Sequence, residues 1–262
     1  MNSELKDKLK RVNVSSEKDI YEFFSDNYIF FSPYERYFYL RYNEYLLVKS
    51  LFPHIFDNKS ILEIGCGFGF NCFLLSSNAK HVLGMDIPEK YPSLVVGDDA
   101  TSVDIAKEIN NTMMISNVSF THSWPTDIKA CEDDSLDLVF SEYVLEHIPD
   151  LDLALHEMYR VLKSGGEMLH IVPVTQDAVL AFIRQQINRS RQKKYNPKNI
   201  IRNILNPVII PGCHSEFLSD FDDQLNLYCL ENYVFKMQEQ GFVIKDIKQS
   251  REHNRVIYAV KP

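Results

Sequence analysis

The stretch Ile61-Leu62-Glu63-Ile64-Gly65-Cys66-Gly67-Phe68-Gly69 decides the fold. An apolar run with an acid in it enters three glycines at alternate positions, and a helical pattern, NCFLLSSN, follows. Glycine permits a tight strand-to-helix turn and lets a ligand approach the backbone closely. The helix beyond it turns N–H groups and a positive dipole end toward that ligand. A dinucleotide fingerprint would need glycine at 65, 67 and 70. Position 70 is Phe70 and the third glycine is Gly69, so the pattern reads E-x-G-x-G-x-G.

Around this turn the chain alternates. Short runs rich in β-branched and aromatic residues predict strands at SILEIG, HVLGMDI, NVSFT, LDLVFS, GEMLHIVPV, FVIKDI and RVIYAV. Most are apolar on both faces, as strands covered on both sides would be. Helical periodicity lies between them, in SVDIAKEINNTMM, in LDLALHEMYRVLK with Gly165 as its left-handed C-cap, and in CLENYVFKMQEQ. The alternation implies an α/β, doubly wound, mostly parallel sheet. Residues 1–57 read as a helical N-terminal cap, with Ser16 and Asp19 as an N-cap pair and an aromatic-rich helix ending before Pro53. A cofactor-binding core spans 59–174, an inserted lid 175–232, and the last helix end and two strands 233–262, all within a single domain. The insertion is too long for an ordinary connection, contains Pro197, Pro207, Pro211 and Gly212, and reads as a helical piece with loops.

Composition narrows the function. The chain has 262 residues, 28 basic against 36 acidic for a net charge of −8, and 45% apolar residues. That acidic balance argues against nucleic acid as a partner. No apolar run approaches the roughly 18 residues that span a bilayer, and the start has no secretory pattern. Five cysteines without a CxxC pair fit a reduced, cytoplasmic protein with no metal site. The sequence specifies no oligomeric state.

Two further signals join the glycine turn. Asp86 stands at the tip of the next predicted strand, where a carboxylate can accept hydrogen bonds from both hydroxyls of a ribose. The segment DDSLDLVFSEYVLEHIPD at 133–150 carries a strand ending at Ser141 and then a Leu145-Glu146-His147 turn. Together with LEIGCGFG, GMD and ALHEMYRVLKSGG, it resembles the class I S-adenosylmethionine-dependent methyltransferases, chiefly the branch acting on small molecules, quinones and sugars.

The resemblance covers roughly 59–174 and implies a seven-stranded Rossmann-like sheet whose final strand is antiparallel. It implies that Gly65, Cys66, Gly67 and Gly69 form the S-adenosylmethionine loop, supported by Glu63. Asp86 would hold the ribose, Ile87 would lie against adenine, and Ser141, Glu142 and Tyr143 would border cofactor and substrate. Relatives often carry Gly-Asp-Ala after the third strand; here Phe120-Thr121-His122-Ser123-Trp124 leaves Ser123 and Trp124 for adenine, with Asp98 and Asp99 as alternative acids.

Methyl transfer to a hydroxyl calls for a base near neutral pH, and histidine is the natural candidate. His214, oriented by Glu216 in the insertion, and His147 are the two candidates. Seven basic residues and no acid occur between Arg184 and Arg202, fitting either a solvated basic face, a phosphate-facing lid or a peripheral contact with anionic membrane. Tyr37, Arg41 and Tyr42 would meet the substrate if the aromatic helix forms a lid, and Arg184 would do so from the insertion. The segment PGCHSEFLSDFDDQLNLYCLENYVFKMQEQGF at 211–242 also resembles methyltransferases among bacterial surface-polysaccharide enzymes, and that resemblance implies O-methylation of a sugar or glycan-like acceptor in polysaccharide biosynthesis. The competing readings are a quinone or lipid acceptor, a nicotinamide oxidoreductase, and a cofactor- or partner-binding module without turnover.

Overall fold

A computed structural model describes Asp7 and residues 14–32, 36–88, 100–174, 214–216, 224–226, 229–251 and 254–262. Its helices are α1 (Glu17–Asp26), α2 (Tyr37–Leu51), α3 (Phe70–Ser76), α4 (Ser102–Met113), α5 (Leu151–Val161) and α6 (Leu230–Glu239). The strands are β1 (Ser60–Ile64), β2 (His81–Asp86), β3 (Val118–His122), β4 (Leu136–Glu142), β5 (Leu162–Pro173), β6 (His214–Glu216), β7 (Gln224–Asn226), β8 (Val243–Arg251) and β9 (Asn254–Val260). Among the described helices none is long and apolar enough to cross a membrane.

Seven strands form one sheet in the order β3-β2-β1-β4-β5-β9-β8. The pairs from β3 through β5 are parallel. β9 runs antiparallel to both β5 and β8. The chain leaves β1 toward one edge and returns to β4 on the other side, so the order reverses between β1 and β4. In doubly wound sheets ligands bind at that reversal, outside the carboxyl ends of the strands.

Alternate residues serve opposite faces of the sheet. Ile61, Val82, Leu138, Leu169 and Val256 join the core under α1 to α4, whereas Leu62, Met85, Val139, Met168 and Ile257 join the core under α5 and α6. The N-terminal helices are therefore part of the first core. Phe24 on α1 is fully buried, and its ring lies 4.9 Å from Phe31, 5.1 Å from Phe38 and 5.2 Å from Phe70 between centroids. The Ser16 hydroxyl caps α1 by accepting from Asp19 N–H, as its spacing implies.

Two sequence expectations change. Helix α5 stops at Val161, and Leu162 already pairs with Leu136 as β5 begins. Gly165 does take a positive φ of 78°, but inside a bulge of β5, where its N–H donates to the Lys261 carbonyl at 2.8 Å. Pairing with the chain's C-terminal end outcompetes one more helical turn. Within 175–232 the described residues are β6 and β7, which pair antiparallel, and the start of α6; the helical piece expected there lies for the rest outside the described residues. Arg184 and the basic run at 184–202 lie outside the described residues, as do Asp98 and Asp99.

Phe24→Ala should cost about 3–5 kcal/mol, the usual range for a large aromatic removed from a packed core. Urea unfolding followed by circular dichroism and by Trp124 fluorescence should shift together. Loss of the α1 signal alone, with the sheet transition unmoved, would show a separate cap.

Candidate functional site: the carboxyl edge at β1 and β4

The three glycines of the β1–α3 turn all have positive φ: 72° at Gly65, 51° at Gly67 and 85° at Gly69. Their surroundings differ. A Cβ at Gly65 would stand 2.3 Å from Val144 Cγ2, and one at Gly69 would stand 2.6 Å from Phe120 Cζ. At Gly67 a Cβ would meet no atom of the described residues within 4 Å. Gly65 and Gly69 are thus glycine for packing, whereas Gly67 leaves room beside the turn.

Hydrogen bonds hold the turn against the tip of β2. Gly65 and Cys66 N–H both donate to the Met85 carbonyl, at 2.8 and 3.0 Å. Gly67 N–H donates to Asp86 Oδ2 at 2.8 Å, and Ile87 N–H donates to Asp86 Oδ1 at 2.8 Å. Asp86 therefore fixes the loop as well as marking the strand tip. A carboxylate has about four lone-pair sites, more than the Gly67 and Ile87 N–H groups occupy.

Glu63 points under the turn instead of outward. It is 2% exposed, and its Oε2 accepts from Cys72 Sγ–H at 2.7 Å. Burial pushes its pKa up to about 8, against the opposing hydrogen bonds from Cys72 and Asn71. The Cys66 thiol, buried in the turn itself, is likewise pushed up to about 11 by burial.

Glu142 at the end of β4 lies one strand away. Asn71 Nδ2 donates to its Oε2 at 2.7 Å, and Arg41 Nη1 stands 3.0 Å from its Oε1. Burial raises the Glu142 pKa while Arg41 pulls it back down. The Arg41 guanidinium is layered between two rings, 4.1 Å from the Tyr143 centroid and 5.0 Å from that of Tyr37. Tyr143 has φ of 58°, unusual for an aromatic residue. Its hydroxyl donates to Glu44 at 2.7 Å and receives Asn254 Nδ2–H, and its N–H donates to the Ile171 carbonyl at 2.9 Å.

The structure thus gathers Gly65, Cys66, Gly67, Gly69, Asp86, Ile87, Glu142 and Tyr143 at one edge, with Tyr37 and Arg41 against the last two. Ser123 reaches the same edge through its N–H, which donates to the Asp86 carbonyl at 3.0 Å, but the side chains of Tyr42, Ser141 and Ser123 are engaged within the protein. Tyr42 stacks on Tyr21 of α1 at 4.7 Å, within the helix packing. Ser141 is fully buried, its hydroxyl 2.7 Å from His170 Nδ1, and burial holds that imidazole neutral with a pKa near 3. The Ser123 hydroxyl donates to the Asp127 carbonyl at 2.8 Å in its own turn, beside the exposed Trp124.

His147 is half-exposed in the short Leu145–His147 turn after β4. The β7 backbone comes within 8 Å of that turn, Cα to Cα. Its partner β6 contains His214 and Glu216, so the hairpin brings their backbone to the same edge. Sequence reasoning gave no role to Asn71 or Glu44, whose hydrogen bonds tie this edge to α2 and α3. Both look like ordinary surface residues of a helix; the burial of Glu44 and the hydrogen bond from Asn71 to Glu142 reveal them.

Fold and site together define a doubly wound nucleotide-type binding domain with its loop at the β1/β4 reversal. A family model described as a methyltransferase domain matches residues 55–232. The chain is 33% identical over 121 residues to an arsenite methyltransferase of Aquipseudomonas alcaligenes, covering 44% of this chain and 33% of that protein. It is 26% identical over 202 residues to phosphoethanolamine N-methyltransferase 1 of Triticum aestivum, covering 74% of this chain and 36% of that one. The chain spans about a third of the length of these curated relatives. The crystal structure of a SAM-dependent methyltransferase from Aquifex aeolicus superposes with a TM-score of 0.55 at 15% identity, over 84% of this chain and 89% of that one. A protein from Pyrococcus horikoshii does so with a TM-score of 0.61 at 18% identity, over 85% and 91%. This chain belongs to the methyltransferase domain family, in the class I S-adenosylmethionine-dependent group that its motifs resemble.

The two inner glycines should separate on substitution. Gly67→Ala should fold with a loss of about 1–2 kcal/mol for its left-handed backbone yet bind S-adenosylhomocysteine at least tenfold more weakly, read by calorimetry. Gly65→Ala should lose more stability because Val144 must move. Equal melting shifts would contradict this division.

Glu63 gives a pH dependence. Its folded pKa of about 8 exceeds the ordinary glutamate value of 4.5, so between those pH values the folded state holds a proton that the unfolded state releases. The resulting stability is fully present below about 4.5 and is lost as pH rises toward about 8. Glu63→Gln should flatten that decline in urea midpoints taken at intervals across the window; parallel wild-type and variant curves would refute it.

Proposed function

We propose that this chain transfers a methyl group from S-adenosylmethionine to a hydroxyl of a small, sugar- or glycan-like acceptor. The observation that carries the cofactor half is the open, left-handed Gly67, whose N–H is fixed by Asp86 at the strand tip. The residues fit such a compound. Gly65 to Gly67 would lie along its methionine and ribose portion, Asp86 would take the ribose hydroxyls, and Ile87 would lie beside adenine.

When bound, the cofactor supplies a methyl group already activated by its sulfonium. The chain's task is then to hold the acceptor oxygen about 3–3.5 Å from that methyl, in line, and to exclude water. Tyr37, Arg41, Arg184 and Glu216 are the proposed acceptor contacts. His214 or His147 would take the acceptor's proton; both belong to segments at the carboxyl edge. The acidless basic run at 184–202 supports an acceptor bearing phosphate, or contact with an anionic membrane that carries it.

Calorimetry with S-adenosylhomocysteine and with NADH tests the cofactor assignment, and heat from the nicotinamide alone would overturn it. Asp86→Ala should weaken S-adenosylhomocysteine binding by about 1.5–3 kcal/mol, the scale of charged hydrogen bonds. A change of a few tenths would remove Asp86 from the site.

A further inference from the structure

We propose that Glu146 is an acceptor-binding residue, its Oε2, without a hydrogen-bond partner among the described residues, receiving the hydrogen of an acceptor hydroxyl. The inference rests on the methyl-transfer reading and adds a specificity-determining residue to it. Glu146 is 2% exposed, and Oε2 has no hydrogen-bond partner among the described residues. Buried polar atoms in folded proteins are almost always paired, and an exception calls for an explanation.

Its neighbours make the vacancy specific. Asp86 accepts from Gly67 and Ile87 N–H, Glu63 from Cys72, and Glu142 Oε2 from Asn71, while Glu142 Oε1 makes no hydrogen bond among the described residues but faces the Arg41 cation at 3.0 Å; Glu146 Oε2 has no such cation against it among the described ion pairs. Glu146 Oε1 stands 4.0 Å from His147 Nε2, a loose contact that leaves Oε2 aside. Burial raises the Glu146 pKa, opposed by the His147 charge, by a hydrogen bond from the residue's own backbone N–H and by the Arg41 charge. The residue lies in the turn directly beyond β4, on the edge that also presents Gly67, and the β6–β7 hairpin approaches this turn.

The position selects chemistry. A carboxylate oxygen in a surround already rich in acids repels an anionic group and accepts from a donor. A hydroxyl supplies that donor without bringing a charge that must be desolvated. A divalent cation would need further ligands, and among the described residues no cluster of three metal-binding side chains exists.

The test uses the full chain saturated with S-adenosylhomocysteine, in wild type, Glu146→Ala and Glu146→Gln. Methyl α-glucoside, UDP-glucose, catechol and ethylammonium are titrated as probes, each with magnesium and with chelator. At least one hydroxyl probe should bind the wild type, lose tenfold or more in affinity in Glu146→Ala, and stay within threefold in Glu146→Gln, whose amide oxygen still accepts. Affinity for S-adenosylhomocysteine should stay within twofold in all three. Unchanged hydroxyl-probe affinity in Glu146→Ala, binding of ethylammonium alone, binding that requires magnesium, or no probe bound by the wild-type complex would each overturn the assignment. Failure of the wild type to bind S-adenosylhomocysteine would overturn the cofactor reading instead, and this one with it.

Discussion

The hydrogen bond from Gly67 N–H to Asp86 Oδ2, at 2.8 Å, joins two successive crossovers of the sheet at the point where strand order reverses. It closes the underside of the turn while the other side stays open at Gly67. The geometry demands small residues where protein presses in. Val144 presses on Gly65, and Phe120 presses on both Gly69 and Gly84. Each bulky neighbour comes from a different strand end, so the shape of the loop is a property of the assembled sheet.

The second constraint is charge. Glu44, Glu63, Glu142 and Glu146 are all buried near this edge, and Arg41 is the cation facing them among the described residues. Burying acids without compensation is costly. The structure answers with hydrogen bonds to Glu44, Glu63 and Glu142, with Arg41 beside Glu142, and at Glu63 with a pKa pushed up to about 8 by burial. Tyr143 is the hinge of the arrangement. Its left-handed backbone costs roughly 1–2 kcal/mol, and bonds to Glu44, Asn254 and the Ile171 carbonyl hold it there. Its ring then becomes the surface on which Arg41 lies. Helix α2 and the β8–β9 hairpin are thereby tied to the site.

Much of this was legible beforehand. The strand runs, the glycine turn and the acid at 86 are local signals, because backbone freedom and side-chain period are written in neighbouring residues. The Lys163–Gly166 stretch misled for the same reason. It is a good helix terminator locally, but a non-local partner, Lys261, claims its backbone for the sheet. Ser141 and Tyr42 were placed at the site by motif position and by aromatic crowding. Ser141 faces the α5 side of the sheet because alternate residues of β4 must, and Tyr42 faces α1 because Tyr21 offers a flat stacking partner.

What the amino-acid order determined alone is the alternation of strands and helices, the conformational freedom at 65, 67 and 69, and the carboxylate at the following strand tip. Those properties depend on a residue and its nearest neighbours. Which glycine stays open, which acids are neutralised, and which aromatic rings hold Arg41 were decided only by tertiary structure. Each depends on atoms brought together from distant parts of the chain: Val144 against Gly65, Asn71 against Glu142, Asn254 against Tyr143. Packing and desolvation act through space, and no spacing along the sequence encodes them.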